Sequence, residues 1–259
     1  MTIFNGVMGL SLIYAIWGQT YFFSYYALYD NPQDLKAMRD SFFFTLIPGA
    51  FFTVPVMFFG LGFTSTFSLL HNKAEGDGMT LGEGIRFIIR RFIRLLPYTL
   101  FIVAYAMCMA PSSASGPFWE NYKKAITPCT DGLWWTNILF VNNLYPANFD
   151  DKCLPWNWFL SCYMQFSILL PLIIGLSQIL SRTLTTIFFT VIAVGLTFMN
   201  ALLVANSETG IFLRFDDGIQ FNLDFYAQHF MKPYFHFSSY LWGIAICMNY
   251  LNFVRERVN

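Results

Sequence analysis

Six blocks of predominantly apolar residues, at 4–28, 41–70, 92–110, 156–180, 183–204 and 234–253, limit what this chain can become. A helix needs about 20 such residues to cross the roughly 30 Å hydrocarbon layer of a bilayer, and each block is close to that length or longer. The apolar residues fall in long runs rather than at the spacing of an amphipathic surface helix. The expected fold is therefore all-α, a polytopic transmembrane helical bundle of about six spans, with five and seven both open. With 56% apolar and 12% charged residues among 259, the composition excludes a soluble enzyme, and no nucleic-acid partner is expected.

The second block is long for one crossing, and Pro48-Gly49 and Pro55 interrupt it, so a tilt, kink or break is expected there. No hydrophilic, Arg-rich leader precedes the first block, and the first span is expected to act as its own insertion signal. Charge gives the orientation. In a six-span reading Lys73, Arg86, Arg90, Arg91, Arg94, Arg182, Arg255 and Arg257 share a side with only Glu75, Asp77, Glu83 and Glu256. The zero net charge thus hides a basic side and an acidic one, and the termini are expected to face the cytosol or, in an organelle, the matrix.

Between the third and fourth blocks lies the one large loop, residues 111–155, on the acidic side. Its Trp119, Trp134, Trp135, Phe140, Tyr145 and Phe149 need burial or an interface, and a short helix lying on the membrane is expected, because tryptophan favours the headgroup level. Cys129 and Cys153 lie in this loop, on the side where oxidation is permitted, and topology alone leaves open whether they pair. Cys108, Cys162 and Cys247 lie inside spans, where a thiol behaves as a small hydrophobe. Residues 71–84 form a polar, glycine-bearing connector. Asp216, Asp217, Asp224 and His229 in a second loop match no metal-ligand spacing, so no metal is expected.

Several segments carry a resemblance. Asn5-Gly6-Val7-Met8-Gly9 leads to Gly18-Gln19-Thr20, then come Arg91-Phe92-Ile93-Arg94-Leu95-Leu96-Pro97 and Gly116-Pro117-Phe118-Trp119. Trp134-Trp135-Thr136-Asn137, Trp156-Asn157-Trp158-Phe159-Leu160-Ser161 and Lys232-Pro233-Tyr234 follow in order. Together they resemble the acyltransferase-3 superfamily, in its nose-resistant-to-fluoxetine branch. The resemblance implies one acyltransferase-3-like transmembrane domain over residues 1–259, short of roughly four later spans, and a Cys129–Cys153 disulfide closing the aromatic loop.

The resemblance also implies where chemistry belongs, and there this sequence is inert. The family's first-span Arg and His fall on Met8 and Gln19, its second-span Asp on Pro55, its Ser on Leu61, the acid before its Met-Gln on Cys162-Tyr163 and a later Arg on His236. A carboxamide cannot take up a proton near neutral pH, whereas imidazole can. Arg91 and Arg94 survive as candidate contacts for a lipid or anion, with a membrane-edge anchor as the plainer role.

The resulting expectation is a catalytically inactive acyltransferase-like protein serving as a structural accessory subunit of a larger membrane complex. The candidates are protist respiratory-chain or ATP-synthase assemblies in the mitochondrial inner membrane, with membrane lipids and other subunits as partners. The alternatives are an active O-acyltransferase using acyl-CoA, with His71, His229 or His236 as a displaced base, and a lipid-binding or transport protein. No cofactor is expected unless the enzyme alternative holds.

Overall fold

A computed structural model describes residues 2–24, 41–71, 73, 78–113, 115–206, 213–214, 220–221 and 223–258. Long helices dominate. Helix α1 is Thr2–Ser24, α2 is the helical run Phe42–Leu70, α3 is Leu81–Ser112, α4 is Pro117–Pro128, and α5 is the short Trp135–Ile138. Helix α6 is Pro155–Ile179, α7 is Arg182–Ala205, and α8, residues 223–230, ends in a wide π-type turn before α9, Pro233–Val258. A two-residue antiparallel ribbon, Leu213–Arg214 with Gln220–Phe221, precedes α8.

Among the described residues α2, α3, α6 and α7 are long and apolar enough to cross a membrane, which makes the chain an integral membrane protein. The first and last expected spans correspond to α1 and α9, of 23 and 26 residues, which have the length but are not among these four. Helix α9 tolerates His236, Ser238 and Tyr240 because all three are buried among other helices rather than facing lipid. Pro48-Gly49 does not break α2. The chain passes from 3₁₀ to α and back to 3₁₀ through residues 42–52 before settling into α-helix at Thr53.

The third helix starts earlier than its apolar block. Thr80 accepts a hydrogen bond from the Glu83 N–H at 3.3 Å, and the Glu83 carboxylate accepts one from the Thr80 N–H at 2.8 Å, a reciprocal cap that begins the helix at Leu81. The first three turns are amphipathic, so hydropathy sees only the half that follows. Lys73 ties the connector to this cap through Glu83 at 2.6 Å and the Gly78 carbonyl at 2.9 Å.

Helix α9 is the hub, packed mainly on α2 and also on α7 and α6. Lipid tails are as apolar as a protein core, so close packing rather than expulsion from water must hold such helices together. Glycines permit it: a Cβ on Gly62 would strike the Tyr240 carbonyl oxygen, and one on Gly243 would strike the Phe59 carbonyl oxygen. Beside this seam lies an aromatic core. Phe166 stacks on Tyr240 at 4.8 Å and meets Phe58 edge-on at 5.3 Å.

Cys129 and Cys153 form the disulfide that the resemblance implied, with Cα atoms 4.6 Å apart. Cys162 and Cys247 are buried thiols, whereas Cys108 is exposed on the flank of α3.

Candidate functional site: an arginine-lined cavity

On α3, Arg86, Arg90 and Arg94 recur every fourth residue and so lie along one stripe, with Phe87 and Arg91 beside it. Like charges at that spacing oppose one another by about 0.2–0.5 kcal/mol per pair, which a bound anion would relieve. These five side chains, together with Glu83 and with Ser68, Leu69 and Lys73 from the end of α2 and its connector, line a cavity of about 460 Å³. Glu83 already serves Lys73 and the helix cap, and no ion pair reaches the four arginines among the described residues. Among the described residues, these four arginines therefore have no carboxylate partner.

Arg91 is the fixed member. Its Nη2 donates to Ser65 Oγ at 3.1 Å, and its guanidinium lies 4.9 Å from the Phe87 ring and 5.2 Å from the Tyr163 ring. Cation–π contacts on both rings hold the planar head without neutralising it. Arg86, Arg90 and Arg94 are exposed. Arg91 and Arg94 were expected contacts. Arg86 and Arg90, read from sequence only as positive-side charges, join them in one wall, and their four-residue spacing was the signal.

The degenerate positions lie elsewhere. Met8 is half-buried with its thioether against Gly60, Gln19 is exposed on α1, and Pro55 and Leu61 are half-buried on α2. None of the four lines the arginine cavity.

The histidines have other employments. His71 is exposed and stacked on Phe67, and His229 Nδ1 lies 2.8 Å from the Tyr234 hydroxyl. His236 is fully buried between Phe58 and Trp158, and its Nε2 lies 2.7 Å from the Phe230 carbonyl oxygen. Asp224 is exposed, Asp216 and Asp217 lie outside the described residues, and no group of three potential metal ligands occurs among those described.

In the loop that follows α3, the conspicuous motifs meet in a buried polar network, where Phe140 meets Phe92 of α3 edge-on at 5.8 Å. Asn137 Nδ2 donates to the Cys153 carbonyl at 2.8 Å, and its Oδ1 accepts from Asn142 and Asn157, each at 3.1 Å. Asn143 and Gln165 pair through both amides, and Lys232 Nζ donates to the Asn143 carbonyl at 2.8 Å. Lys152, fully buried, donates to the carbonyls of Asn142 and Pro146. Burial, reinforced by Lys232, lowers its ammonium to about 8, and burial holds Lys232 below its usual range as well. These side chains satisfy one another, so the network fixes the loop rather than presenting a reactive group.

No protein-family model matches the chain, and no solved structure matches it. In sequence it is similar to nose resistant to fluoxetine protein 6 of Caenorhabditis elegans, at 26% identity over 181 residues. That stretch covers 66% of this chain and 22% of the longer protein, so the chain spans only about a fifth of the length of the relative it matches.

Proposed function

We propose that this chain is a non-catalytic membrane protein of acyltransferase-like build that binds a phosphate-bearing lipid in its arginine cavity, as an accessory subunit of a larger membrane assembly. The observation that carries the reading is the set of four arginines around one cavity, none of them ion-paired among the described residues, while Glu83 in the same lining is engaged by Lys73. Guanidinium groups meet phosphate oxygens in bidentate fashion, and basic pockets between membrane helices suit anionic headgroups. Arg91, held by Ser65 and two rings, would supply a preorganised contact, with the exposed arginines closing around it.

The first-span residues support catalytic silence. Neither the Met8 thioether nor the Gln19 carboxamide can act as a base at neutral pH. Six spans, with both termini on the arginine side facing the cytosol or matrix, fit the charge asymmetry and the lengths of α1 and α9. An inner mitochondrial membrane location is proposed on the sequence reading alone.

The test is native mass spectrometry of the purified chain with phosphatidic acid, phosphatidylglycerol and phosphatidylcholine. Preferential, salt-sensitive retention of the anionic lipids is expected, with a loss of about fivefold for each arginine removed, at about 1 kcal/mol per charge. Equal retention of all three lipids would remove the basis for the reading. Retention of a soluble acyl-CoA in place of lipid would assign the phosphate to an acyl donor.

A further inference from the structure

The short helix α5 and the turn after it are inside out. Thr136, Asn137, Asn142 and Asn143 are all at most 1% exposed, whereas Trp135 is 39%, Leu139 58% and Tyr145 55% exposed. Trp134, Leu144 and Trp156 are exposed beside them. Residues 132–149 contain no charged side chain. A loop facing water would place its asparagines outward and its indoles inward, and exposed apolar clusters of this kind mark an interaction surface.

The chemistry of the rings selects the partner. Trp119 donates its indole N–H to the Pro111 carbonyl and Trp158 donates to the Tyr226 hydroxyl. Among the described residues the indoles of Trp134, Trp135 and Trp156 reach no protein acceptor. An apolar ring body with a free N–H fits the headgroup and glycerol layer of a bilayer, where acyl tails meet carbonyl oxygens and water. The patch is also continuous with the apolar exterior. It packs on α3, where Phe140 meets Phe92 at 5.8 Å, α3 also exposes Phe101, Tyr105 and Met109, and Trp156 lies in the first turn of the spanning helix α6. The Cys129–Cys153 disulfide and the Asn137 bond to the Cys153 carbonyl hold it, and Trp135 stacks on Tyr145 at 6.3 Å.

We propose that Trp134, Trp135, Tyr145 and Trp156 form an interfacial anchor seated in the phospholipid headgroup layer. Because the segment is uncharged, the anchor is indifferent to lipid charge and to salt, unlike the cavity. The two sites therefore stand or fall separately.

The test places the full chain in nanodiscs and compares it with a variant carrying Trp134→Phe, Trp135→Phe and Trp156→Phe, and with Trp135→Phe alone in case the triple variant fails to fold. The emission lost on substitution belongs to the three exposed indoles. It should fall by about half or more in phosphatidylcholine brominated near the glycerol end of the chains, and should resist aqueous iodide, with no dependence on added phosphatidylglycerol. Emission quenched by iodide and untouched by bromine would place the rings in water and overturn the proposal. Protection from both quenchers would overturn it too, by showing that protein covers the rings.

Discussion

Arg91 and Arg94 separate binding from scaffolding at the scale of single residues. Arg94 is exposed on the cavity wall and makes no hydrogen bond or ion pair among the described residues, so Arg94→Gln should weaken retention of an anionic lipid about fivefold and leave unfolding unchanged. Arg91 also bonds Ser65 and lies over two rings, so Arg91→Gln should reduce both retention and stability, the latter by about 1–2 kcal/mol. Lipid retention and denaturation in mild detergent, measured on the same samples, check both. Lys152 sets a pH dependence. Its ammonium titrates at about 8 in the folded protein and near 10.4 when unfolded. Between those values the unfolded chain holds a proton that the folded chain has released, so Lys152 makes stability rise with pH across that window, by at most about 1.4 kcal/mol per pH unit. Below pH 8 both states are protonated and this slope vanishes. Lys232 is shifted in the same direction, so the slope should be reduced, not abolished, in Lys152→Met.

At the scale of elements, the seam between α2 and α9 depends on the absence of side chains. Gly243→Val should destabilise the bundle by about 1–3 kcal/mol, because the backbone of α2 occupies the space a side chain needs. Gly9→Ala, whose Cβ would meet nothing within 4 Å, is the control and should leave the melting temperature within a degree or so. The elements also show what the sequence made legible. Apolar blocks located the long helices, and the resemblance paired Cys129 with Cys153. The start of α3 was missed because hydropathy responds to the block at 92–110, although Thr80 and Glu83 carry the capping-box spacing and Arg86, Arg90 and Arg94 carry helical periodicity. Arg86 and Arg90 of that stripe were the part of the cavity wall that was missed. Counting charges gives a side of the membrane, whereas spacing them gives a surface.

For the whole molecule, the chain order around α3 sets the topology: the Lys73 connector precedes this helix and the disulfide-closed loop follows it, folding back so that Phe140 meets Phe92 at 5.8 Å. Labelling introduced at Gly78 and at Asn148 should therefore report opposite sides of the membrane, and labelling of both from one side would refute the topology. The apolar blocks at 4–28 and 234–253 suggested two more spans than the four helices long and apolar enough among the described residues; α9 carries His236 and Ser238 buried against its neighbours. The central claim, an acyltransferase-like scaffold without the chemistry, is tested most directly by turnover. The purified chain is given labelled acyl-CoA and a panel of hydroxyl and lipid acceptors, beside Gln19→Ala and His229→Ala. The account predicts no transfer above background and no difference among the three proteins, since a missing general base alone costs about 10² to 10⁴ in rate. Robust transfer abolished by Gln19→Ala would contradict the account, and transfer abolished by His229→Ala would show that the base had moved to the histidine beside Tyr234.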